Sequence, residues 1–406
     1  MRIAYVLLDP GIGVFGTKGA SVHVQEVTRA LRADGHEVTV FCTRLDEHVP
    51  ADLADLDVRH HRLPRGKGPE REAAVARAAA DIAREIVEEG FDLVHERYSL
   101  FSDVTARLAL PDASSGLDAS SSPGADHPSR GTAARRPIPA ILEVNAPLVL
   151  EQRAHRSLHD EAGALAATRA QLAAAAVVSC VSPQVADWAR SEGAAPQRVV
   201  VTPNGVNTTR IFPRPAADGT AAADPAVPLT VGFVGTLKPW HGTDLLLQAL
   251  ARTREAMRLE VIGTGPEHEA LEQLAAELGV ADRVHLRGAV APEDVPAVLH
   301  GLDIAVAPYP AGDHYFSPLK VYEYLAAGLP VIASAIGTIP EMLREGELGV
   351  LVAPGDVDAL ASALDALGAD RGRRERLGRA AREAAVAEHD WRRRCRDLLE
   401  LVGAAA

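Results

Sequence analysis

Two lysines and a glutamate carry the clearest chemistry in this sequence. Lys320 and Glu323 lie three residues apart in Ser317-Pro318-Leu319-Lys320-Val321-Tyr322-Glu323-Tyr324. Ser317 suits a helix N-cap, Pro318 the first helical position, and Gly328 with Pro330 the stop. The N-terminus of such a helix offers free N–H groups and the positive end of a dipole, which seats a phosphate. Lys320 adds a cation in the first turn, and Glu323 shares its face. A carboxylate beside a phosphate has a use if it accepts hydrogen bonds from two adjacent sugar hydroxyls, as a ribose next to a diphosphate presents them. Taken alone, the pair reads better as a surface ion pair on an ordinary capped helix.

Two further loops favour the diphosphate. Gly235-Thr236-Leu237-Lys238-Pro239-Trp240-His241-Gly242 follows an apolar run and leads into a helix at Thr243. Gly263-Thr264-Gly265-Pro266-Glu267 follows another, with glycines that permit close backbone approach and a proline that opens a helix. A diphosphate held by Lys238, Lys320 and backbone N–H groups is the simplest common cause, with His241 as its neighbour. His23 and His95 read as packing residues.

These segments need a scaffold. Apolar runs at Ile3–Leu8, Glu37–Cys42, Phe91–His95, Ala140–Val144, Val177–Val181 and Val199–Thr202 alternate with helical patterns, and one helix from about Ala20 to Ala33 places Val24, Val27 and Leu31 on one side. The alternation resumes at Leu229–Val234, Leu259–Ile262, Val284–Leu286, Ile304–Ala307, Pro330–Ala333 and Val350–Val352. Such alternation predicts parallel sheets covered by helices, with ligands at the carboxyl ends of the strands. The 406 residues allow two such α/β domains. Residues 1–212 form the first, 213–228 a low-complexity linker, 229–385 the second, and 386–406 a C-terminal helix. Residues 112–136, rich in Ser, Gly, Pro, Ala and Asp, read as a disordered surface insertion.

Composition excludes several classes. Acids outnumber Lys plus Arg by 55 to 42, a formal charge of -13 that argues against nucleic-acid binding. The three cysteines lie far apart without metal-ligand spacing, so neither a disulfide framework nor a zinc site is expected. No run is long enough to span a bilayer, and the N-terminal apolar run stops at Asp9-Pro10. The expected location is the cytoplasm. Arg392, Arg393, Arg394 and Arg396 after Trp391 read as a solvated helix face, with a peripheral membrane contact as the alternative.

The whole pattern resembles glycosyltransferase family 4, whose members are retaining enzymes of the GT-B fold, two Rossmann-like domains facing each other across a cleft. The resemblance is strongest from Val231 to Pro354, and Gly16-Thr17-Lys18-Gly19, Glu96-Arg97-Tyr98, Leu142-Glu143-Val144-Asn145-Ala146-Pro147 and Pro203-Asn204-Gly205-Val206 extend it into the first domain. The resemblance implies transfer of a sugar from a nucleoside-diphosphate sugar, such as a UDP- or GDP-sugar, to a hydroxyl of a sugar, lipid-linked or small-molecule acceptor, with no other cofactor and no metal. It implies that Gly16, Thr17, Lys18 and Gly19 approach the donor phosphates, and that Lys238 balances the charge of the departing diphosphate. Glu323 would hold the ribose, and the backbone near Arg287, Gly288 and Val290 would frame the base. The helix near Trp391 would cross back to the first domain. Thr236, Gly265, Ser317, Pro318 and Leu319 complete the donor contacts, and Lys238, Lys320 and Asn145 are the candidates for the chemical step.

The sequence departs from the family at four places. Tyr315 stands where the first of two signature glutamates is usual. Thr236 and His241 replace the usual Arg and Lys, and Asn145 replaces the common His after the fourth apolar run. These changes point to a distinct sugar preference or a weaker activity. No inward carboxylate pair stands out, although Glu96 and Glu143 stay open as candidates. Two other readings compete. Gly11-Ile12-Gly13-Val14-Phe15-Gly16 matches the dinucleotide fingerprint of an oxidoreductase, but Thr17, Lys18 and Gly19 make the loop too long. A non-catalytic nucleotide-sugar sensor would explain the substitutions at 315, 236 and 241.

Overall fold

The computed structural model describes residues 1–109, 137–155, 157–215, 227–312 and 314–405. The insertion read at 112–136 and most of the linker read at 213–228 lie outside them. The chain forms two compact units. The first comprises Met1–Gly16, Leu31–Thr202 and Arg396–Ala406; the second comprises Thr17–Ala30 and Pro203–Cys395.

The first unit is built on β1 (Arg2–Leu7), β2 (Glu37–Cys42), β3 (Asp57–His60), β4 (Leu93–Arg97), β5 (Ala140–Val144), β6 (Val177–Cys180) and β7 (Val199–Val201). All neighbours pair in parallel, in the order β3-β2-β1-β4-β5-β6-β7. β1, β4, β5 and β6 are buried along nearly their whole length; β1 and β6 are largely apolar, whereas β4 buries His95, Glu96 and Arg97 and β5 buries Glu143. β3 is the exception. It is an edge strand with side chains half-exposed, Asp-Val-Arg-His carries no apolar run, and the sequence reading passed over it. One face of the sheet is packed by the helix Pro69–Glu89 through Val75, Ala79, Ile82 and Ile86.

The second unit repeats the plan with β8 (Leu229–Val234), β9 (Met257–Ile262), β10 (Val284–Gly288), β11 (Ile304–Ala307), β12 (Val331–Ser334) and β13 (Gly349–Val352), in the parallel order β10-β9-β8-β11-β12-β13. Two cores lie on its faces. One is lined by Phe233, Leu246, Leu250, Val261, Ile304 and Leu364. The other is lined by Tyr309, Val321, Tyr324, Leu325, Ile339 and Ala385.

The order of the second sheet reverses between β8 and β11, and the loops after these strands diverge to opposite faces. That divergence opens the crevice in which open parallel sheets bind ligands. Glycines close the neighbouring loops onto each other. Gly235 N–H donates to Ile262 O at 2.9 Å, and Leu237 N–H to Thr264 O at 2.9 Å. A Cβ on Gly263, whose φ is +142°, would meet Gly235 O at 1.8 Å, and one on Gly242, at φ +66°, would meet Pro308 O at 1.8 Å.

These contacts generate a comparison. Gly263→Ala should lower the thermal midpoint by several degrees more than Gly279→Ala, because Gly279 has a positive φ with nothing within 4 Å of a Cβ. The first change adds a backbone clash to a conformational cost of about 1 kcal/mol. Equal shifts in a melting experiment would show that the two loops are not held together in this way.

Candidate functional site

The site in the second unit is assembled at the β8/β11 reversal. The helix Leu319–Ala326 carries Lys320 in its first turn. Ser317 is not its N-cap, contrary to the sequence reading. Pro318 occupies that position, and the Ser317 hydroxyl is committed elsewhere: it accepts Asn204 N–H at 3.0 Å and bonds Tyr322 OH at 3.2 Å. Asn204 Nδ2 donates to Ser317 O at 2.6 Å and Asn204 Oδ1 meets His23 Nδ1 at 3.0 Å, so Ser317 anchors the approach to the helix. The helix on Glu267 likewise begins at His268, later than Pro266 suggested, and its N-cap is Glu267.

Lys320 is only 9% exposed, and its Nζ has no hydrogen-bond partner. The ammonium lies 3.9 Å from the Phe233 ring centroid and 5.4 Å from that of Tyr309. A Cβ on Gly235 would come within 2.8 Å of it, so the glycine leaves the ammonium room beneath the loop after β8. Burial lowers its pKa from the ordinary lysine value to about 7, against the pull of Glu323. The surface ion pair between Lys320 and Glu323 is therefore absent: the lysine is buried, stacked on aromatic rings and unbonded.

Glu323 keeps part of its side chain open to solvent and is hemmed in elsewhere. Burial pushes its carboxyl up to about 7, opposed by Arg210, reinforced by Glu26 and opposed again by Lys320. Arg210 is itself held by Glu26 at 2.8 Å, and Asn207 Nδ2 donates to Glu26 at 2.9 Å. No spacing in the sequence signals that network, because Glu26 and Arg210 lie far apart along the chain.

His241 is half-buried. Its Nδ1 donates to Thr236 O, since a carbonyl can only accept, so Nε2 carries the lone pair. Burial, with Lys320 adding to it, lowers the ring's pKa to about 4. A neutral ring in this tautomer pins the exposed Thr236 and the loop rather than supplying a second cation. Lys238 lies on the same loop, its Nζ 5.5 Å from the ring centroid of the exposed Trp240. A Cβ on Gly265 would strike Leu237 O at 2.1 Å, which puts that glycine against the lysine loop.

Other predicted residues fall nearby or apart. Leu319 lies against Gly19, a Cβ there being 3.5 Å from Leu319 Cδ1, and Thr17 and Lys18 are exposed beside it. Tyr315 and Val290 are half-buried, and Arg287 is exposed and paired with Glu260. Gly16 belongs to the first unit, where it is buried. So does Asn145, at the end of β5, whose amide donates to Glu143. Glu96 is removed as a candidate base. It is fully buried, its pKa raised by that burial, and it accepts hydrogen bonds from Ser102 and from Thr105 N–H and Oγ1 at 2.8 and 2.6 Å. It holds the chain after β4. The three cysteines are buried and outside any disulfide, and no group of His, Cys, Asp and Glu suited to a metal occurs among the described residues.

Comparison with known proteins bears on the family and the fold. Residues 18–205 match the family described as "Glycosyl transferase 4-like domain", and residues 228–370 match "Glycosyl transferases group 1". The chain is 32% identical to a D-inositol 3-phosphate glycosyltransferase of Geodermatophilus obscurus, over 98% of this chain and 87% of that protein. It is 33% identical to a GDP-mannose-dependent alpha-(1-6)-phosphatidylinositol monomannoside mannosyltransferase of Mycolicibacterium smegmatis, over 49% of this chain and 55% of that one. Among solved structures, sucrose-phosphate synthase of Thermosynechococcus elongatus superposes with a TM-score of 0.70 at 24% identity over 100% of both chains. HepE of Anabaena in complex with UDP-glucose superposes with 0.68 at 18% identity over 99% of both. With that extent of identity and two Rossmann-like units, this chain belongs to the family 4-like glycosyltransferases of the GT-B fold.

Proposed function

We propose that the second unit binds a nucleoside-diphosphate sugar at the β8/β11 reversal and that the chain transfers the sugar to an acceptor hydroxyl with retention of anomeric configuration. The observation that carries this reading is the Lys320 ammonium, buried and without a hydrogen-bond partner. A buried cation in that state is costly unless an anion completes it, and a phosphate does so.

Breaking the bond between the anomeric carbon and the phosphate builds positive charge on the sugar and negative charge on the leaving diphosphate. Lys320 meets the diphosphate at the helix start, and Lys238 supplies mobile positive charge as it departs. Glu323 accepts hydrogen bonds from the ribose hydroxyls, oriented by the Glu26–Arg210 pair. The backbone from Arg287 to Val290 borders the base, and Thr17, Lys18 and Gly19 approach the phosphates from beside Leu319. Tyr315 leaves the sugar end without the usual carboxylate, so sugar contacts there come from a phenol and from backbone N–H groups. The acceptor hydroxyl attacks on the leaving-group face and passes its proton to a phosphate oxygen, which requires no protein carboxylate. The names of the relatives favour a sugar, an inositol or a lipid-linked polyol as acceptor. No helix among the described residues is long and apolar enough to cross a membrane, and the buried free thiols suit the cytoplasm.

A thermal-shift panel of UDP-, GDP-, ADP- and dTDP-sugars identifies the donor, because a ligand that binds only the folded state raises the melting temperature. Failure of every one to shift it would remove the donor site. With the donor known, Glu323→Ala should weaken donor binding about tenfold, the size of one or two hydrogen bonds. Lys238→Ala should instead lower kcat by about 10- to 100-fold with a smaller change in donor affinity, as expected for charge that grows in the transition state. Unchanged donor affinity in the first variant, or unchanged kcat in the second, removes the respective role.

Nucleotide affinity should also depend on pH. Lys320 is charged below about 7 and Glu323 is ionised above about 7, so affinity should peak near neutrality and fall on both sides. Lys320→Met should weaken binding about 10- to 100-fold and abolish the alkaline limb, and Glu323→Gln should abolish the acidic limb. Isothermal titration from pH 5.5 to 9 reads this, and a flat wild-type profile contradicts it.

A further inference from the structure

The Arg210 side chain bridges elements of the second unit that lie far apart in the chain. Glu26, Asn207, Arg210, Pro292 and Glu323 all belong to that unit. Asn207 sets the turn that carries Arg210. Its Oδ1 accepts Thr209 N–H at 3.2 Å, the Thr209 hydroxyl at 2.7 Å and Arg210 N–H at 3.1 Å. Its NH2 group is left to donate to Glu26, at 2.9 Å. Arg382 holds the same turn from the other side. Its Nη2 donates to Thr208 O at 3.0 Å, and its Nη1 donates to Ile211 O and to Ala326 O, both at 2.9 Å. Ala326 is the last residue of the helix that carries Lys320 and Glu323. The backbone under Arg210 is therefore tied to that helix.

The guanidinium divides its donors. Nη2 pairs with Glu26 at 2.8 Å, and Nη1 donates to Pro292 O at 2.8 Å. Pro292 is buried and begins the short turn Pro292–Asp294, two residues past Val290. Glu26 is 3% exposed and also pairs with Arg29 at 2.9 Å, so the carboxylate that steers Arg210 is itself held. Arg210 Nε is buried without a hydrogen-bond partner, a cost that packing by itself does not explain. The same guanidinium is the strongest charge acting against the burial of Glu323, ahead of Glu26, which acts the other way, and of Lys320.

We infer that Arg210 is a positioning residue for the nucleoside half of the donor: it braces the turn after β10 through Pro292 O and sets its charge beside Glu323, so that base and ribose are gripped as one piece. The inference rests on the nucleotide-sugar reading above and divides that site in two. The diphosphate half depends on Lys320, and the nucleoside half on Arg210.

Calorimetric titration separates the halves. Arg210→Met is compared with the wild type on the nucleoside diphosphate that the wild type takes from UDP, GDP, ADP and dTDP, and on inorganic pyrophosphate, which has no nucleoside. The variant should lose about tenfold or more in affinity for the nucleotide and less than about twofold for pyrophosphate. Lys320→Met should weaken both. Equal losses for the two ligands in Arg210→Met, or no loss for the nucleotide, overturn the inference.

A brace that served only the fold would leave the pH profile in place. The charged groups that act on Glu323 are Arg210, Glu26 and Lys320. Arg210 lowers the pKa of Glu323, so its removal should carry the acidic limb of nucleotide affinity to higher pH. Arg210→Lys keeps the charge but cannot fork between Glu26 and Pro292 O. It should return the limb to its wild-type position while affinity stays about threefold or more below wild type. A limb that does not move in Arg210→Met, or full affinity in Arg210→Lys, overturns the dual role.

The brace is also read without ligand. Asp294 N–H donates to Ala291 O at 2.9 Å, and Leu271 N–H donates to Glu267 O at 2.9 Å. In ligand-free Arg210→Met the Asp294 amide should exchange with solvent faster than in the wild type, and the Leu271 amide at the same rate. An unchanged Asp294 overturns the brace whatever the protein binds. Faster exchange at Asp294 in a protein whose wild type binds none of the four nucleotides overturns the link to the nucleoside and marks failure of the donor reading, not of the brace.

Discussion

A buried ammonium without a hydrogen-bond partner is the constraint around which the second unit is arranged. Moving a lysine charge out of water costs several kcal/mol, and stacking on Phe233 and Tyr309 returns about 1 or 2 of them. The difference appears as the depressed pKa of Lys320. On the proposed reading, a diphosphate that enters beside the ammonium regains this cost on binding. The surrounding sequence serves that end. Gly235 lacks the Cβ that would crowd Nζ, and Gly242 and Gly263 let neighbouring strand ends close to within backbone contact. Tyr324 fixes the helix by accepting Val234 N–H at 2.8 Å.

The charges around the ammonium are graded rather than uniform. Lys238 lies half-buried on the loop after β8, His241 is held neutral by burial, and burial raises the Glu323 carboxyl to about 7 against the pull of Arg210. One cation fixed in a hydrophobic seat and another on a flexible stem suit a reaction in which charge moves away from the sugar with its leaving group. In the first unit the corresponding strand ends carry a closed network. Glu143 there accepts hydrogen bonds from His95, Arg97 and Asn145. The two units thus present different chemistries, a buried cation without a hydrogen-bond partner in one and a hydrogen-bonded carboxylate network in the other.

Much of this was legible in the sequence, for identifiable reasons. Strands buried on both faces wrote themselves as apolar runs, and the loops at 235–242 and 263–267 declared themselves by glycine and lysine at strand ends. β3 was missed because an exposed edge strand has no apolar run to show. Ser317 was misassigned as a cap because its residue type suits one, whereas the fold spends its hydroxyl on Asn204 and Tyr322. Glu96 offers itself in the sequence as a candidate base, whereas the fold commits its oxygens to Ser102 and Thr105. The Glu26–Arg210 pair and the Glu143 hub join residues distant in the chain, so local spacing carries no trace of them. The aromatic bed of Lys320 leaves no local trace for the same reason: Phe233 lies on β8 and Tyr309 just past the end of β11, and only the sheet order makes these strands neighbours.

The most direct measurement of the central claim is proton uptake when a nucleoside diphosphate binds. Calorimetric titration with UDP or GDP at pH 8, repeated in buffers of different ionisation enthalpy, counts the protons exchanged. Lys320 is mostly neutral in the free protein at that pH and must be charged beside the diphosphate, so uptake close to one proton per nucleotide is predicted. It should vanish in Lys320→Met. Binding with no buffer dependence in the wild type, or with the same uptake in Lys320→Met, would contradict the account.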